Sequence, residues 1–314
     1  MNWLVKASMQ KSFSYLPKGD EVNYFFQHKV AKNLPVRDEK FYEKVILATK
    51  LFDTYLEYCP ADEISNCAFY EFGAGWDLIG PLTYHALGVE NQTLVDINPN
   101  VRLDLVNDSL QKFSAYKSRL EQITGKSFKT VGLSPLASFE DLKSRFGISY
   151  ISPLDARNTG LPAESFDFIS STNTLEHIPV PDILLILAEC RRLLKPGGII
   201  SSIIDLQDHY SYFDRSISCY NFLKFSDTVW NLINSPLHFQ NRLRCCDHLQ
   251  LFEQAGLEII AEDVDQPTSA ELDTLKKLRL SPKFRGKYSL EDLGAKTSKI
   301  VSRKARCTHE VAIK

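Results

Sequence analysis

The sequence predicts an α/β protein built on an open, mostly parallel sheet with helices on both faces, and three observations predict it. From Ser65 onward, short apolar runs alternate with stretches of helical spacing, the pattern of strands connected by crossover helices. The first two runs are joined by a glycine turn and a helix, a strand–turn–helix–strand unit suited to ligand binding. A long aromatic segment, residues 205–244, follows the fifth run, and insertions after the carboxyl ends of parallel strands sit where ligands bind. A chain of 314 residues suits one large domain with an appendage.

The elements follow in order. Residues 1–65 read as an N-terminal helical cap. Asp38 is placed to cap a helix through Tyr58, with Phe41, Val45, Ile46, Leu51, Phe52, Tyr55 and Leu56 recurring at helical spacing. Ahead of it Trp3, Leu4, Phe13, Tyr15 and Leu16 make an apolar side. With only Lys6, Lys11 and Lys18 as a basic face, packing on the protein body is expected over a membrane surface. Ala68 to Phe72 is the first strand and residues 78–87 a helix, and a second run closes on Asp96. Gly73 and Gly75 permit positive φ and a close backbone approach to a ligand, and the helix they open offers free N–H groups to an anion. Asp96, about 20 residues on, suits a carboxylate that accepts from ribose hydroxyls. A nucleoside-type cofactor is the reading of this unit.

Residues 101–122 read as helical, and a short helix is expected near Phe139 to Phe146. The third strand is Ile148 to Ile151, followed by Pro153-Leu154-Asp155-Ala156. A fourth strand over 166–171 leads to Thr172-Asn173-Thr174-Leu175-Glu176-His177-Ile178, then a helix from about Pro181 to Leu194. Lys195-Pro196-Gly197-Gly198 is expected to stop that helix and reverse the chain into a fifth strand, Ile199 to Ile204. Asp247 is placed to cap a helix ending at Gly256, Leu257 to Ala261 is a sixth strand, Ser289 caps a short helix, and residues 298–302 form the last strand. The tail 305–314 has no assigned use.

Composition bounds the function. The chain has 37 basic and 39 acidic residues, a formal net charge of −2, so a polyanion gripped by bulk charge is disfavoured and no nucleic-acid partner is expected. Seven cysteines show no metal spacing, and their odd number opposes a closed disulfide framework. A cytoplasmic setting is expected, with no signal-peptide core and no apolar run near the roughly 20 residues of a membrane span.

The ordered blocks EFGAG, VDINPN, PLDA, ESFDFISS, NTLEHI and LLKPGG, from Glu71 to Gly198, resemble the type 11 branch of the class I S-adenosylmethionine (SAM) dependent methyltransferases. A dinucleotide fingerprint would want a third glycine at position 78, where this chain has Leu78. The resemblance implies a Rossmann-like seven-stranded sheet whose last strand is antiparallel, within residues 66–304, and SAM as cofactor. It places Glu71, Gly73, Ala74 and Gly75 against the methionine end, Asp96 with Ile97 at the ribose, Asp155 and Ala156 at the adenine, and Thr172 near the methyl group. In the family Glu176 and His177 order a loop, and only some members use a similar pair toward a metal. Asn173 stands where those members carry another carboxylate, so no metal is expected here. DHYSYFD, NFLKFSD and the N-terminal cap are similar to bacterial methyltransferases of surface-glycan and small-molecule pathways.

Methyl transfer to a hydroxyl needs a base for the departing proton, whereas a carboxylate acceptor needs none. His209, just past the fifth strand, is the first candidate, with Asp208 and Asp214 as orienting neighbours and His177 and His238 as rivals. The expected activity is transfer to an oxygen or nitrogen of a small molecule or glycan precursor. A nicotinamide-dependent oxidoreductase and a noncatalytic SAM-binding protein are the alternatives.

Overall fold

The computed structural model describes residues 2–15, 21, 24, 34–59, 63–131 and 134–304. Leu16, Lys18 and the tail 305–314 lie outside them. Seven strands form one sheet: β1 (Ala68–Phe72), β2 (Asn91–Val95), β3 (Ile148–Ile151), β4 (Phe166–Thr172), β5 (Leu194–Asp205), β6 (Leu257–Val264) and β7 (Thr297–Lys304). Their order is β3-β2-β1-β4-β5-β7-β6. β1 to β5 pair in parallel, while β7 runs antiparallel between β5 and β6. This is the Rossmann-like arrangement expected from the sequence, and its order reverses at β1 and β4, where such sheets bind ligands.

Period-two alternation sends side chains to opposite faces. Phe69, Phe168, Ile199 and Ile203 pack with Leu51, Phe52 and Tyr55 of α2 (Asp38–Tyr58) and Tyr84 of α3 (Ile79–Ala86). Tyr70, Phe72, Ile200 and Ile204 pack with Ile183, Leu187 and Cys190 of α6 (Val180–Leu193) and Phe252 of α8 (Cys245–Gln254). Two further helices, α4 (Leu103–Thr124) and α5 (Phe139–Phe146), close the β2–β3 end around Leu110, Phe113 and Ile148.

A separate apolar cluster lies outside these layers. Trp3 and Ala7 of α1 (Trp3–Phe13) pack with Tyr210, Tyr220, Phe222 and Trp230 of the 205–244 insertion, which contains α7 (Asp227–Ile233). Leu275 of α9 (Ser269–Lys277) and Leu293 of α10 (Leu290–Gly294) complete it. Most of the insertion's large aromatics are therefore its own core. The N-terminal block does not behave as one body: α1 lies on the insertion, whereas α2 covers the sheet. Among the described residues the basic face is not free, because Lys6 is buried over the Phe213 ring and Lys11 donates to the Asn231 and Asn234 carbonyls.

Three local expectations are corrected. Asp38 is the first residue of α2, not its cap, and accepts instead from the Tyr116 hydroxyl at 2.7 Å. Asp247 lies in the first turn of α8 and accepts from the Arg244 N–H at 2.9 Å. The helix before β5 stops at Leu193, ahead of the glycines. Leu194 already pairs with Phe166, and residues 195–198 bulge out before Ile199 pairs with Phe168.

Candidate active site

Two clefts open at the carboxyl ends of β1, β2, β4 and β5. The first, of about 420 Å³, is lined by Gly73, Gly75, Asp96, Ile97, Asp155 and Ala156, and by Asn173 and His177. The second, of about 520 Å³, is lined by Glu71, Gly73, Ala74, Gly75, Thr172 and Asn173, and by Lys44, Asp205, Gln207 and Tyr212. Gly73, Gly75 and Asn173 belong to both. Asn173 holds φ at 50°, left-handed backbone in a non-glycine residue, as its N–H donates to the Ile203 carbonyl at 2.8 Å. Such strained positions cluster at functional sites.

Gly73 and Gly75 both have φ of 74°. A Cβ on Gly73 would run into the Thr174 side chain, whereas one on Gly75 would meet nothing within 4 Å. Asp96 is buried at the end of β2 and accepts from the Tyr150 hydroxyl at 3.1 Å. Burial pushes its carboxyl up to about 7, against the pull of that hydroxyl and of the Ala74 N–H. Glu71 is pushed up to about 8, again chiefly by burial, with the Ser170 hydroxyl at 3.3 Å opposing. Asp155 is held below its usual range by Arg157, which grips both its oxygens and reaches on to Asp182 at 2.7 Å.

The predicted base constellation is rearranged. His209 does not stand at the lip of a pocket: it is buried, and its Nε2 lies 3.2 Å from Asp205 Oδ2. Neither predicted orienting carboxylate faces it. Asp208 accepts from the Tyr210 N–H and the Asn221 amide, and Asp214 accepts from the Trp3 N–H and Ser216. Asp205 takes their place, accepting also from the Tyr212 hydroxyl and the Gln207 N–H. Burial opposes its charge, but these donors and His209 outweigh it and hold the carboxyl below its usual range. The cue that singles out Asp96, an acid directly after an apolar run, picks out Asp205 equally well. The rivals are close by, with the His177 ring 4.9 Å from that of His209 and His238 5.6 Å from both.

A family model described as a methyltransferase domain matches residues 136–202, from α5 through β5. The chain is a SAM-dependent methyltransferase. S-adenosylmethionine is its cofactor, and the first cleft fits that group: Asp96 is a buried acceptor and Gly75 leaves open space beside it. No curated sequence matches the methyltransferase. Solved structures with a similar course include a candidate sarcosine dimethylglycine methyltransferase from Galdieria sulphuraria, 18% identical over 82% of this chain and 85% of that one, with a TM-score of 0.45. Others are an S-adenosylmethionine dependent methyltransferase from Mesorhizobium loti (13%, 81% and 97%, 0.42) and a SAM-dependent methyltransferase from Leishmania major (11%, 96% and 83%, 0.43). At such distance none of them lends a substrate or a residue's role to this chain. Among the described residues, no helix is long and apolar enough to cross a membrane.

Proposed function

We propose that the methyltransferase acts on an oxygen or nitrogen of a polar small molecule or glycan precursor, with cofactor in the first cleft and acceptor in the second. The observation that carries this is the meeting of the two clefts at Gly73, Gly75 and Asn173, which sets a cofactor and an acceptor against the same residues. In this reading Asp96 takes the ribose hydroxyls with Ile97 beside it, and Asp155 and Ala156 meet the adenine. Glu71, Gly73, Ala74 and Gly75 hold the methionine end, and Thr172 stands near the methyl group. The bound cofactor supplies a methyl group on a sulfonium, and positioning of the acceptor contributes roughly 7 to 11 kcal/mol to the rate.

A hydroxyl acceptor also has to lose its proton. Asp205 lines the second cleft and takes that proton in our reading, with His209 as the positioning residue behind it. Lys44, Gln207 and Tyr212 on the same wall suit a hydroxylated or charged acceptor, and the DHYSYFD and NFLKFSD resemblance supports glycan precursors. The near balance of charge supports a small acceptor over a polyanion. As domain layout we take residues 66–304 with α2 as the catalytic unit, and α1 with residues 205–244 as the acceptor-side cover.

Calorimetric titration with SAM, S-adenosylhomocysteine, NAD and NADP tests the cofactor half. Selective binding of the two adenosyl ligands is expected, and selective nicotinamide binding would overturn the reading. Asp205→Asn tests the acceptor half: SAM affinity should hold while turnover on a hydroxyl acceptor falls by about 10²- to 10⁴-fold. Undiminished turnover would remove Asp205 from the reaction.

A further inference from the structure

We propose that Glu176, His177 and His209 form a binding site for a divalent transition metal, with zinc the ion their donor set suits best. The three side chains come from two short turns. Glu176 and His177 belong to the turn Leu175–His177 after β4, and His209 opens the turn His209–Tyr212 after β5. One ligand atom from each lies within 4.8 Å of the others. A tetrahedral ion with bonds of about 2.0 to 2.2 Å holds its donors about 3.3 Å apart, so small side-chain rotations close the set. Two imidazoles and one carboxylate favour zinc and its neighbours over magnesium or calcium, which prefer all-oxygen ligands.

His177 already presents a free ring nitrogen. His177 Nδ1 lies 2.7 Å from the Phe239 carbonyl. A carbonyl only accepts, so the proton sits on Nδ1 and the Nε2 lone pair is left for an ion. His238 Nε2 is also buried without a hydrogen-bond partner and is a candidate fourth donor.

Glu176 is the strongest sign. It is 1% exposed, and neither carboxylate oxygen has a hydrogen-bond partner among the described residues. A carboxylate so placed costs several kcal/mol unless it is protonated or paired. Asp205 Oδ2, 3.2 Å from His209 Nε2, brings a second negative group. No lysine or arginine of the described residues ion-pairs with either acid. A divalent cation held by the cluster would satisfy Glu176. The ion has a way in, because His177 lines the first cleft and, with His238, a third one.

This inference shares His209 with the acceptor reading but is tested without an acceptor, on the purified full chain. The chain is stripped with a chelator and titrated calorimetrically with Zn²⁺ and Mg²⁺, as wild type, Glu176→Gln and His177→Ala. One Zn²⁺ per wild-type chain is expected, bound at least about 100-fold tighter than Mg²⁺ and weakened about 10- to 100-fold or more by either substitution. Without metal, Glu176→Gln should melt no lower than wild type, because a neutral amide replaces the buried acid. Absence of stoichiometric zinc in the wild type overturns the site, as does unchanged affinity in both variants. A metal-free Glu176→Gln protein that melts lower, or does not fold, also overturns it by showing the carboxyl to be structural. Wild type that binds zinc but not SAM would sink the cofactor reading alone.

Discussion

Gly73 and Gly75 share one backbone conformation and differ in what surrounds them. Gly73→Ala drives a methyl group into Thr174 as well as straining the left-handed backbone, so it should cost about 2 to 4 kcal/mol of stability. Gly75→Ala carries only the backbone term, about 1 to 2 kcal/mol, but puts its methyl in open space on the cleft wall. Thermal melts and calorimetry separate the two: Gly73→Ala should melt early, and Gly75→Ala should fold and bind SAM weakly. Asp96 gives a pH signature. Its carboxyl sits near 7 in the free protein, and only the ionised form accepts from both ribose hydroxyls. SAM affinity should therefore rise with pH and level off above 7, with about a tenfold loss at pH 6. Asp96→Asn should bind weakly at every pH with a flat profile; an unchanged profile in that variant would clear Asp96. The same raised pKa makes the Asp96 contribution to folding largest in acid and smaller as pH climbs from about 4 to 7.

Between elements, Arg244 is the fastener. It precedes α8, is fully buried, and donates to the carbonyls of Leu206, Asp292, Leu293 and Ala295. It thereby ties the end of β5 to α10 and the start of β7. Burial lowers its pKa only to about 10, so it stays charged at neutral pH. Arg244→Ala strands four buried carbonyls and should lower stability by about 3 to 5 kcal/mol, read as a lower urea midpoint. Arg244→Lys should recover little, because an ammonium cannot span the same fork of acceptors. The helix over 269–277 was open to sequence reading through Thr268 and Glu271, which form a capping box. Its role was not, because Leu275 finds Trp3, Phe284 and Leu293 only in three dimensions.

For the molecule as a whole, binding and folding are linked. At 100 times its Kd, SAM should add about 2.7 kcal/mol to stability, and S-adenosylhomocysteine should act similarly at its own saturation. A thermal-shift series checks this, with NAD expected to leave the melt unmoved. Loss of α1 would bare Tyr210 and Phe225, since the Trp3 ring lies tilted against them at 5.6 Å and 5.8 Å.

The sequence by itself determined the strands, the glycine turn and the carboxylates at strand ends, because each is written in local periodicity or spacing. Ala68–Phe72, Phe139–Phe146 and Ile148–Ile151 fall where the pattern puts them, and Asp96 and Asp155 line one cleft. Tertiary structure alone decided which side chains meet across long gaps. His177, His209 and His238 are about thirty residues apart in sequence and share one cluster. Asp205, not Asp208 or Asp214, backs onto His209, because the turn after β5 sends those two acids toward Asn221 and Trp3. Side-chain direction in an irregular insertion follows from packing against distant partners, and no local period records it.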